Sequence, residues 1–105
     1  MIQDVPGYEL LAQVMRLAYD QAANGKGAQR HAQTIQQPFI EQPIMQLTRL
    51  LGTEGAIFQV VKKLEEARRL PPDRALQEAL GAVVYSAAVA AHYMLLQKEQ
   101  KEKGL

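Results

Sequence analysis

Lys26, Arg30 and His31 fall within six residues of one another, in Gly25-Lys26-Gly27-Ala28-Gln29-Arg30-His31. No acidic residue occurs between Asp20 and Glu41 to neutralise them. The three side chains offer complementary ways to hold an anion. Lysine is a mobile point charge, arginine a planar fork that grips phosphate bidentately, and histidine a donor that switches with pH. Gly25 and Gly27 let the backbone turn its N–H groups inward, as anion-binding nests require. The stretch is not a Walker loop, because the G-x-x-x-x-G-K-[ST] spacing is missing. The competing reading is a soluble loop whose glycines only end a helix.

Three other stretches carry chemistry-bearing side chains. In Pro38-Phe39-Ile40-Glu41-Gln42-Pro43-Ile44, two prolines hold an extended lead into a helix. Phe39 can stack on a base there, and Glu41 or Gln42 can read its edge. Simple packing at a helix start explains the same residues. In Lys62-Lys63-Leu64-Glu65-Glu66-Ala67-Arg68-Arg69, the Lys62–Glu66 and Glu65–Arg69 spacings suit surface ion pairs of roughly 0.2–0.5 kcal/mol each. The sharper reading has one lysine, Lys63, leaning over the helix edge toward the anion site of the 25–31 loop. Tyr85 and His92 share a helix face seven residues apart. A lone histidine on an apolar helix is more often a satisfied core residue than a ligand, so Tyr85 is the better candidate for a ligand contact. The candidate binding set is therefore Gly25, Lys26, Gly27, Arg30, His31, Phe39, Gln42, Lys63 and Tyr85. No nucleophile sits beside a base and no histidine pair has metal-ligand spacing. Neither a catalytic residue, a metal nor a cofactor is expected.

These residues need elements to position them, and the pattern is helical throughout. Leu10, Leu11, Val14, Met15, Leu17, Ala18 and Ala22 form a stripe at helical spacing, predicting a helix from Tyr8 to about Ala23. Residues 25–38 carry no period, and such long connections are usually functional or disordered. A short helix is expected from Glu41 or Pro43 to Leu51, with Pro43 in the first turn, Gly52 as its stop and Ile44, Leu47, Leu50 and Leu51 as its apolar face. Thr53 reads as the cap of a further helix running to about Leu70, with Ile57, Phe58, Val61 and Leu64 buried. Pro71-Pro72 ends it. Asp73 can cap the last helix, from near Arg74 to about Gln100. Its stretch Ala79–Leu96 holds no formal charge and no proline. A helix apolar nearly all round is buried nearly all round, and the remaining helices are a thin coat for it. An oligomer is expected to bury it against copies of itself.

The expected fold is thus all-α, a compact bundle of about four helices with a central Ala-rich C-terminal helix. One domain spans 1–105, with a lead over 1–7, the functional loop at 25–38 and a solvated, fraying tail at 98–105. Hydrophobic residues make up 48% but aromatics only 6%, which favours close helix packing over a sheet core. The net charge of +1 gives no field to draw the chain to DNA or RNA. The absence of cysteine excludes disulfides, thiolate catalysis and Cys-ligated zinc, and fits a reducing cytoplasm. The first residues lack a signal peptide's basic start and apolar core. Ala79–Leu96 is borderline in length for a membrane span of roughly 20 apolar residues. It is rich in weakly hydrophobic alanine and holds Ser86, His92 and two tyrosines, so a core helix is expected over a span, and no membrane.

Four blocks resemble a group of small bacteriophage proteins that share them in this order. They are Gly-Lys-Gly-Ala-Gln-Arg-His-Ala (25–32), Pro-Phe-Ile-Glu-Gln-Pro-Ile (38–44), the Lys-Lys-x-x-Glu-x-x-Arg pattern (62–69) and Glu-Ala-Leu-Gly-Ala-Val-Val-Tyr (78–85). The likeness covers about Leu10 to Leu95 and implies a phage origin and the cytoplasm of an infected bacterial cell. A fainter likeness is to all-helical nucleotide pyrophosphohydrolases of the MazG type, whose E-x-x-E and E-x-x-D helices hold magnesium. Here Glu65 and Glu66 are followed three positions on by Arg68 and Arg69, and Glu78 by Gly81, so the second carboxylate is missing each time. These departures point to a protein that grips a phosphorylated nucleotide-like ligand without hydrolysing it. For a phage, such a protein would serve to sequester a bacterial immune signal. The alternatives are a pyrophosphohydrolase with a reduced site on Glu66 and Glu78, or a module that blocks a host protein.

Overall fold

The computed structural model describes residues 5–24 and 38–104. Among the described residues, four α-helices follow one another: α1 (Glu9–Asn24), α2 (Pro43–Leu51), α3 (Glu54–Ala67) and α4 (Pro72–Glu102), with a 3-10 turn at Phe39–Glu41 before α2. No strand occurs among the described residues, so the fold is all-α as expected. The residues 25–37, which carry the loop's cations, lie outside the described residues.

The helix boundaries follow local chemistry. Gln42 is extended (φ −74°, ψ 156°), as the residue before a proline must be, and Pro43 takes the first helical position, where its missing N–H leaves no bond unmade. Gly52 ends α2 at φ +90°, donating its N–H to the Thr48 carbonyl at 2.9 Å. At the start of α1, the Gly7 N–H donates to Glu9 Oε1 at 3.2 Å. The Glu9 and Gly7 backbone N–H groups hold the Glu9 carboxyl below its usual range.

Two expected caps do not form. Thr53 precedes α3 with αR backbone and no side-chain cap bond, because a capping side chain needs extended geometry at that position. Asp73 lies inside the first turn of α4, since Pro71 and Pro72 start that helix earlier than expected. There its carboxylate favours the positive end of the helix dipole. The described tail residues are mostly exposed. Residues to Glu102 continue α4, and Glu99 accepts from Arg49 of α2 at 3.1 Å.

α4 is the central element, packed by α3 along its flank and by α1 and α2 elsewhere. The side chains buried in these seams are mostly small: Ala12, Ala18, Ala56, Ala82 and Ala88, with Leu80 and Met45. Small residues let helix backbones approach closely. The large side chains expected in the core are instead left on the surface. Leu10 is 74% exposed, Leu50 77%, Phe58 63% and Val61 63%, and Ile57, Leu64, Leu47 and Leu51 are exposed with them. α4 is long and apolar enough to cross a membrane by length and composition, and only part of its apolar stretch is buried within the chain.

Candidate functional site

A cleft of about 1010 Å³ runs along α4, walled by all four helices and the 3-10 turn. Each helix contributes one face. Leu17, Asp20 and Gln21 come from α1, Ile44, Leu47, Thr48 and Leu51 from α2, and Gly55, Gln59 and Lys63 from α3. From α4 come Gln77, Glu78, Gly81, Val84 and Tyr85. The spacings of three and four place each set along one helical stripe.

Four of the nine expected binding residues line this cleft: Phe39, Gln42, Lys63 and Tyr85. They come from three segments and meet only in the fold. The other five, Gly25, Lys26, Gly27, Arg30 and His31, lie outside the described residues. The chain on either side of them borders the cleft. Ala22, in the last turn of α1, and Phe39, just after the segment, both line it. The end of α1 is tied down here, with Gln21 Nε2 donating to the Gln77 carbonyl at 3.2 Å.

Lys63 is the centre of the described wall. Its Nζ lies 3.7 Å from Glu78 Oε2, with the two side chains 26% and 31% exposed. The same ammonium stands 5.8 Å from the centre of the Tyr85 ring, within cation–π range. Gly81 makes room for it. A Cβ at Gly81 would meet Lys63 Cδ at 3.1 Å and Cε at 3.2 Å. A glycine in the middle of a helix is destabilising relative to alanine, and here it opens a notch in which the lysine stem lies. Lys63 does lean over the helix edge, and what it meets there is a carboxylate.

Glu78, Gly81 and Gln77 were not among the expected binding residues. The signal available in the sequence was the 3-4 spacing of Glu78, Gly81 and Tyr85, which shares one helix face around a mid-helix glycine. The other pairs sort as follows. Glu65 accepts from both Arg68 (3.0 Å) and Arg69 (2.8 Å), while Lys62 and Glu66 make no ion pair with each other. His92 stacks at a tilt on Tyr93, with ring centres 5.6 Å apart. Among the described residues, no three Asp, Glu or His side chains come together as a metal site.

No protein-family model matches the chain, and no curated protein or solved structure is significantly similar to it.

Proposed function

We propose that this is a non-enzymatic phage protein that binds and sequesters a phosphorylated nucleotide-like ligand, such as a bacterial immune signal, in the cytoplasm of the infected cell. One observation carries the reading. The segment that holds Lys26, Arg30 and His31 leaves and rejoins the described chain beside the cleft lined by Phe39, Gln42, Lys63 and Tyr85. The described wall suits the nucleoside part of such a ligand. It offers Phe39 and Tyr85 as ring surfaces and the amides of Gln42 and Gln59 for base and ribose edges. Its charged residues are Asp20, Glu78 and Lys63, one cation against two carboxylates. Most of the phosphate charge is therefore assigned to Lys26, Arg30 and His31, with Gly25 and Gly27 allowing close backbone approach, and Lys63 joins them only when Glu78 is displaced.

The protein acts as a homo-oligomer. The stripe Ile57, Phe58, Val61 and Leu64 is exposed along α3, as are Tyr93 and Met94 on α4. Exposed apolar area of this extent marks an interaction surface. A second copy supplies a matching stripe, and a net charge of +1 barely opposes self-association. The apolar face of α4 is then the interior of an assembly, which accounts for it without a membrane.

Native mass spectrometry of the gently purified protein, followed by denaturation and identification of released small molecules, tests the proposal. A nucleotide in fixed ratio to an oligomer is the expected result, and it is lost in the Lys26→Ala/Arg30→Ala variant with helicity unchanged. An empty protein that also takes up no nucleotide from infected-cell lysate overturns the reading and leaves a host-protein-blocking module.

A further inference from the structure

We infer that Glu78 is a specificity-determining residue of the cleft, which acts by holding the Lys63 ammonium as a neutralised pair so that small free anions are not captured there. The inference rests on the anion-ligand reading above and deepens it. Three observations support it. The Lys63 stem is confined by the Gly81 notch, with a Cβ position there only 3.1–3.4 Å from its last three atoms. Its charge faces two neighbours, the Tyr85 ring at 5.8 Å and the Glu78 carboxylate at 3.7 Å. The distance to Glu78 exceeds that of a well-made charged hydrogen bond, so the pair neutralises without locking.

Such a pair discriminates by ligand size. Inorganic phosphate and pyrophosphate offer Lys63 one interaction in exchange for Glu78 and must lie beside the carboxylate's charge. A nucleotide engages the ring surfaces and amides as well, and can displace Glu78 from the lysine with binding energy from those other contacts. A sequestering protein requires this filter, because free phosphates would otherwise occupy it. Glu78 acts here as a positioning residue, working through Lys63.

The test follows the Tyr85 ring signals, beside the Lys63 ammonium in the cleft, by NMR during titration with inorganic pyrophosphate, in the full-length wild-type protein, Glu78→Gln, Lys63→Met and Lys63→Met/Glu78→Gln. Glu78→Gln is expected to bind pyrophosphate about five- to tenfold more tightly at Lys63. The gain should vanish in Lys63→Met/Glu78→Gln compared with Lys63→Met, where the methionine stem still fills the notch. A merely structural Glu78 would not show that dependence. Unchanged or weaker pyrophosphate binding in Glu78→Gln overturns the role of Glu78 and leaves the nucleotide reading standing on its own test. A gain that persists without Lys63 also overturns it, since the carboxylate would then act by direct repulsion. A gain through Lys63 in a protein that takes up no nucleotide overturns both readings.

Discussion

Among the described residues, Met45 is the one large side chain fully enclosed, at 0% exposure. It carries an unusual share of the stability, because the other enclosed positions are mostly alanine. Met45→Ala is expected to lower the unfolding free energy by about 2–5 kcal/mol, read from urea denaturation. Thr48, one turn on and 4% exposed, gives a contrast. Its Oγ1 donates to the Ile44 carbonyl at 2.7 Å within its own helix, so its hydroxyl brings no tie between elements. Thr48→Val removes donor and methyl-sized polarity together and should change stability by less than about 1 kcal/mol. Lys63 is a different case at this scale. Its position depends on the absence of a side chain at Gly81 as much as on the presence of one at Glu78.

At the scale of elements, turns decide where each cleft face points. Gly52 joins α2 to α3 at φ +90° and ψ −174°, a region nearly closed to other residues. Gly52→Ala is expected to destabilise by about 1–3 kcal/mol. Gly55, in the first turn of α3, has open space where a Cβ would go and ordinary helical backbone. Gly55→Ala should stabilise by about 0.5 kcal/mol. Thermal melts of the two variants, shifting in opposite directions, check both. The ion pairs between elements matter less. Arg49–Glu99 ties α2 to the far end of α4, but both side chains are more than 40% exposed, which places such a pair at about 0–1 kcal/mol.

For the whole molecule, the decisive fact is how little of the large apolar surface is enclosed. The α3 stripe of Ile57, Phe58, Val61 and Leu64 would not persist in water on an isolated chain without promoting association. If the proposed oligomer assembles through this stripe, Phe58→Asp/Val61→Asp gives a smaller species than the wild type in sedimentation analysis while circular dichroism keeps its helical signature. An unchanged mass would place the interface on another face. The cleft opens between helices of one chain, so nucleotide binding by the dissociated variant would separate the roles of cleft and assembly.

What the sequence by itself determined is local. Pro43, Gly52 and the Pro71-Pro72 pair mark turns because they restrict or free φ and ψ at single positions, whatever surrounds them. The helical type of the four described α-helices followed from periods of three and four, whereas Phe39–Glu41, read as an extended lead, forms a 3-10 turn. Phe39, Gln42, Lys63 and Tyr85 were legible as chemistry-bearing residues, and they do line one cleft. Residues that depend on how helices cross were not legible. Glu78 reads alone as a defective metal motif, and only the seam between α3 and α4 makes it the partner of Lys63. Thr53 and Asp73 have the right side chains for caps, yet backbone geometry and an earlier helix start deny them that role. The stripes of leucine, isoleucine and phenylalanine announce buried faces without saying what buries them. In the described residues alanine fills the seams, because helices approach one another most closely through their smallest side chains, and most of the large ones remain outside.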